Sequence, residues 1–140
     1  MRFNYLKAKI MFYVFSYTPT ATILEKNAYV LPMHLTVGVI HQVDILFQSG
    51  CNHKTFVQVR RGNTQLWPTN RDEALKGDAT VISFREFMEI KPGGNELRAL
   101  IWTSLTADWA EIIVQIGILP KKVLQPLSFD ELLKAAAGAK

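Results

Sequence analysis

The chain has 140 residues, of which 49% are hydrophobic and 20% charged, and its formal net charge is +4. That is the length of one domain, with enough apolar side chains to fill a core and too many for a disordered chain. A single cysteine excludes an intrachain disulfide framework and any zinc site built on cysteine pairs.

Residues 1–9 hold Arg2, Lys7 and Lys9 with no acid, a local charge of +3. The apolar run Ile10 to Phe15 that follows is short and aromatic-rich, and no small-x-small site follows Ser16 and Tyr17. The expectation is therefore a chain without an export signal, and no stretch approaches the roughly 18 apolar residues of a membrane span. Residues 1–30 read as an N-terminal arm or a first strand, carried by Ile10 to Tyr17 and ending in the polar stretch Thr18 to Thr22.

Residues 31–120 read as the body of the protein, and its period is two. From Val39 to Phe47 the residues Val39, Val43, Ile45 and Phe47 fall on odd positions, with Gln42 and Asp44 between them. His41 interrupts that apolar face, where a histidine is most often a hydrogen-bonded core or interface residue. Ser49 to Asn52 punctuates the chain. Thr55 to Arg61, Gly62-Asn63 and Thr64 to Trp67 then have the spacing of a tight hairpin. Pro68 to Asp78 reads as a surface loop.

Thr80 to Ile90 places Ile82, Phe84, Met88 and Ile90 on one face, opposite Ser83, Arg85 and Glu89. Pro92 to Asn95 separates it from a strand over Glu96 to Thr103, and Ile112, Val114, Ile116 and Ile118 repeat the alternation. Seven or eight short strands at this spacing predict an all-β fold, an antiparallel β-sandwich or jelly roll. After Pro120, residues 121–140 read as a tail. Ser128-Phe129-Asp130-Glu131 is a helix-start pattern, and Phe129, Leu132 and Leu133 form the apolar stripe of a short amphipathic helix. A helix that short must dock on something to be stable.

The distribution of charge is more telling than its sum. Residues 121–140 carry +2, and the body between the two ends carries nine basic and ten acidic residues, or −1. A nucleic-acid-binding face on the body is thus not expected, whereas basic ends suit an acidic partner.

Catalytic and cofactor signals are weak. Cys51 and His53, with Asp44 or Asp72 to orient them, are the nearest approach to a nucleophile and base, yet no nucleophile motif surrounds them. His34, His41 and His53 are too few and too irregular for a metal site, and the acidic loop Asn70 to Glu73 with Asp78 lacks a calcium-loop spacing. Gly93-Gly94 lacks the Lys-Ser/Thr of a phosphate loop. The expectation is no enzyme, no cofactor and no metal. Among the aromatic residues, Trp67, beside Pro68 at a loop mouth, is the best candidate for an exposed sugar platform.

Gly38-Val39-Ile40-His41-Gln42-Val43, Phe47 with Gly50-Cys51, Gln65-Leu66-Trp67-Pro68-Thr69-Asn70 and Gly117-Ile118-Leu119-Pro120 resemble segments of small β-sandwich proteins of bacteriophages and related mobile elements. The resemblance covers residues 31–120. It implies a virion structural protein, a capsid decoration or cement subunit assembled in the host cytoplasm, and no catalytic residues. Its partners would be copies of itself and a shell protein, met through Phe12, Tyr13, Phe15, Tyr17, Trp67, Phe129, Leu132 and Leu133. Arg2, Lys7, Lys9, Lys121 and Lys122 would add salt-sensitive attraction. The alternative is a carbohydrate-binding or adhesin-like module.

Overall fold

A computed structural model describes residues 10–94 and 96–120. They form nine strands: β1 Met11–Tyr17, β2 Tyr29–His34, β3 Gly38–Phe47, β4 Thr55–Arg61, β5 Thr64–Trp67, β6 Leu75–Lys76, β7 Thr80–Ile90, β8 Glu96–Thr103 and β9 Ile112–Leu119. A 3₁₀ turn at Glu25–Asn27 precedes β2. The strands make two antiparallel sheets, sheet A in the order β1-β9-β3-β7 and sheet B in the order β2-β8-β4-β5, with β6 also on β4. The basic ends and the predicted helix, with Phe129, Leu132 and Leu133, lie outside the described residues.

The two sheets share one core. Met33 from β2, Val57 and Val59 from β4, and Leu97 and Ile101 from β8 meet Ile40, Val43, Ile45 and Phe47 from β3 and the even positions Ile112 to Ile118 of β9. Burying a side chain of this size stabilises the fold by about 1.5–3 kcal/mol, so the alternating faces read from the sequence drive the two sheets together. The expected β7 face of Ile82, Phe84, Met88 and Ile90 packs on this core, and all four named β9 residues are buried.

β3 departs from the strict alternation. Its register against both β7 and β9 shifts between Ile40 and Gln42. The bulge at His41 resets the pleat, so Ile40 joins the shared core, while Val39, expected on that face, is buried as well. A bulge counts one residue that period-two arithmetic does not.

Connectivity is the second departure. Consecutive strands pass from one sheet to the other everywhere except along β4, β5 and β6. The hairpin at Gly62-Asn63 is therefore real, with Arg61 opposite Thr64 and Gly62 at φ +60°. The turn at Pro92 to Gly94, where Gly93 has φ +84°, instead carries the chain from sheet A to sheet B.

Candidate interaction surface

The N-terminal segment is a strand of this sandwich. Met11 to Tyr17 pairs in unbroken register with Ile118 to Ile112 of β9 and forms one edge of sheet A. Its alternation divides the aromatic candidates. Tyr13, Phe15 and Tyr17 turn inward and pack against the core. The Thr36 backbone N–H donates to Tyr13 Oη at 3.2 Å, and Tyr17 stacks on Tyr29 with ring centroids 3.6 Å apart. These three residues close one side of the sandwich, which corrects their expected place on a partner. Phe12 faces outward, 58% exposed, between Ile10 at 61% and Val14 at 62%. Ile10 and Val14 escaped the sequence reading, although the same period of two would have found them.

Four strand edges border the two sheets, and three carry devices that discourage further pairing. β2 contains Pro32, which has no N–H to donate. β5 and β6 are four and two residues long. β7 carries Arg85, Glu86 and Glu89 within its eleven residues. β1 has none of these, since no charged residue occurs between Ile10 and Leu24. Among the described residues its only strand partner is β9, so alternate backbone N–H and C=O groups along it face outward.

The outer face beside this edge holds an unusual contact. Gly117 of β9 lets the Phe12 ring and the His41 imidazole approach closely, because a Cβ there would lie 2.7 Å from Phe12 Cε1 and 2.8 Å from His41 Nε2. The two rings meet edge to face with centroids 5.9 Å apart. Beneath Phe12, His41 Nε2 is buried and has no hydrogen-bond partner among the described residues, where a hydrogen-bonded core or interface histidine was expected. The other buried side-chain N and O atoms of the described residues have partners. Thr55 and Thr103 share a hydroxyl–hydroxyl bond of 3.0 Å, and Gln58 Nε2 donates to the Glu73 carbonyl at 2.9 Å.

Trp67 is not at the surface. It is 5% exposed, its Nε1–H donates to Glu86 Oε2 at 2.8 Å, and Phe84 meets its ring edge to face at 5.4 Å. The indole bridges β5 of sheet B to β7 of sheet A and fills space between them, so it offers no ring face to a sugar. The loop beyond it is shaped by Gln65, whose Nε2 donates to the Pro68 and Asn70 carbonyls at 2.7 and 3.0 Å. Gln65 Oε1 accepts from Asp72 N at 3.1 Å, so Asp72 is tied into the loop.

Cys51 is buried, and burial pushes its thiol above the ordinary value, away from thiolate character. Asp44, one of the acids considered for orienting His53, bonds instead to Gln42 and Ser83 across the outer face of sheet A. Asp78 is the acid near the thiol. Its Oδ1 accepts from the backbone N–H groups of Asn52 at 2.8 Å and Gly50 at 2.9 Å, and these bonds hold its carboxyl below the usual carboxylate range. It pins the turn in which Asn52 and His53 both adopt left-handed backbone angles of +53° and +59°. No group of three or more potential metal ligands comes together among the described residues, and no helix among them is long and apolar enough to cross a membrane.

Arg2, Lys7, Lys9, Lys121 and Lys122 lie outside the described residues. Compared with known proteins, the chain matches no family model and no curated protein sequence.

Proposed function

We propose that this protein is a non-catalytic structural subunit of a virus particle, a capsid decoration or cement protein that joins neighbouring subunits through its N-terminal edge. The observation that carries the reading is the interleaved strand order β1-β9-β3-β7 over β2-β8-β4-β5. It is the order of a jelly roll, an architecture used by viral shell proteins and by lectins. Fold alone links the chain to that role by analogy. The uncharged β1 edge gives it a mechanism, because a strand of a neighbouring copy or shell protein added there would extend sheet A by main-chain hydrogen bonds. Antiparallel pairing of two β1 edges sets no like charges opposite one another.

Two experiments test this. Particles released from cells that encode the protein are separated on a density gradient and analysed by mass spectrometry. The protein should cosediment with the shell in stoichiometric amount, and its absence from the particle fraction would overturn the virion reading. Light scattering on the purified chain should show self-association that Val14→Lys abolishes and Phe87→Lys, on the opposite edge, leaves intact. Equal behaviour of the two variants would overturn the role of β1.

A further inference from the structure

The outer face of sheet B has a different character from that of sheet A. The register of β4 on β8 sets Arg60 opposite Arg98, Gln58 opposite Leu100 and Phe56 opposite Trp102. The Phe56 and Trp102 rings stack at 5.7 Å, 20° from parallel. The 3₁₀ turn at Glu25–Asn27 rises beside these strands and closes one side of an open concavity of about 660 Å³, within the size range of small-ligand sites. Lys26 and Glu25 also line it and their charges cancel, so the two arginines set its net charge.

Like charges directly opposite on one sheet face are unfavourable, by a few tenths to about 1 kcal/mol, and a sheet selected for stability alone would avoid them. Neither guanidinium has an acidic partner among the described residues. Arg60 Nε donates to Gln58 Oε1 at 2.8 Å and its NH1 to the Asn63 carbonyl at 3.2 Å, while Arg98 NH2 donates to the Gly62 carbonyl at 2.6 Å. These neutral acceptors orient the two forks and leave further N–H groups on each, since a guanidinium carries five. Two pre-oriented forks side by side are suited to a carboxylate.

We infer that this concavity binds an acidic oligosaccharide, with Arg60 and Arg98 taking a sugar carboxylate and Trp102 lying against the face of a neighbouring sugar ring. The spacing chooses the ligand. Arg98 and Trp102 are four residues apart on the same face of one strand, roughly 13 Å by strand rise, with Leu100 between them. A free phosphate or one sugar ring cannot reach both ends, whereas two or three linked sugars can. The apolar floor of Leu100 and Trp102 suits the C–H face of a pyranose. The inference is independent of the virion reading, and it places the sugar platform on Trp102 in place of the buried Trp67.

The test titrates the full chain with trigalacturonate, with maltotriose as the neutral counterpart and hexathymidylate as a phosphate-bearing competitor class, followed by tryptophan fluorescence and calorimetry. Trigalacturonate should bind with a Kd of about 1 mM or tighter at low salt, and maltotriose at least about tenfold more weakly. Arg60→Gln and Arg98→Gln should each weaken trigalacturonate at least about tenfold while circular dichroism stays unchanged, and Arg98→Lys should recover part of the loss. Val14→Lys should leave this binding intact, which separates failure here from failure of the edge-pairing reading. Equal binding of maltotriose, unchanged affinity in the folded arginine variants, or no binding at about 10 mM would overturn the inference. Tighter binding of hexathymidylate would overturn it too, in favour of a nucleic-acid phosphate backbone.

Discussion

β1 and β7 border the same sheet, and both turn large apolar side chains to solvent. Phe12 and Val14 are 58% and 62% exposed on one edge, and Phe87 and Val81 are 60% and 51% exposed on the other. They differ in what accompanies those residues. β7 carries Arg85 and Glu89 on the same outward face as those residues, and β1 carries no charge at all. A strand adding to β7 would have to accommodate those charges, whereas one adding to β1 would meet only backbone, hydroxyl and apolar groups. Exposed hydrophobic area alone thus does not tell a terminated edge from an open one. The charges along the strand do.

Single substitutions perturb the two edges to different extents. The largest effect is expected from Gly38→Ala at the start of β3, the strand that links both halves of sheet A. Gly38 has φ +151°, and a Cβ there would lie 2.7 Å from Ile118 Cγ2 and 2.8 Å from the Leu119 carbonyl oxygen. The substitution should cost about 2–4 kcal/mol in urea unfolding and disturb both edges together. Next, Phe15→Ala on the inner face of β1 should cost about 2 kcal/mol, while Phe87→Ala on the outer face of β7 should stay within about 0.5 kcal/mol. Equal losses would mean that β1 is less a part of the core than its register with β9 implies.

The smallest effect is a pH dependence at Asp78, away from both edges. Its carboxyl is held below the ordinary value by the Asn52 and Gly50 N–H groups. Its contribution is therefore present above the unfolded carboxylate value, about pH 4, and is lost as pH falls through the lower folded value. Thermal melts of Asp78→Asn should lack that part of the acid destabilisation, and identical acid profiles for the two proteins would remove Asp78 as its source.

Much of the fold was legible in the residues, and the reason differs from element to element. The faces of β7 and β9 could be read because an uninterrupted strand obeys a period of two, and the β4–β5 hairpin because Gly62-Asn63 is local turn chemistry. At the start of β3 the buried Ile40 escaped the alternation, because the bulge at His41 is a property of its pairing with two neighbours. The surface was less legible than the core. Tyr13, Phe15 and Tyr17 belong to the inside of β1 and Phe12 to the outside, a division that its alternation already contained. Trp67 read as exposed because it adjoins a loop, yet Glu86 and Phe84, from a strand of the other sheet, enclose it.

By itself, then, the sequence determined that this is an all-β chain with alternating faces, a neutral body and basic ends, since composition and periodicity act locally along the chain. The tertiary structure decided which sheet each strand joins, which described strands lie at the sheet edges, and that Arg60 and Arg98 stand opposite one another 38 positions apart. Those are pairings between distant segments, fixed when two sheets close on one shared core, and no local pattern encodes them.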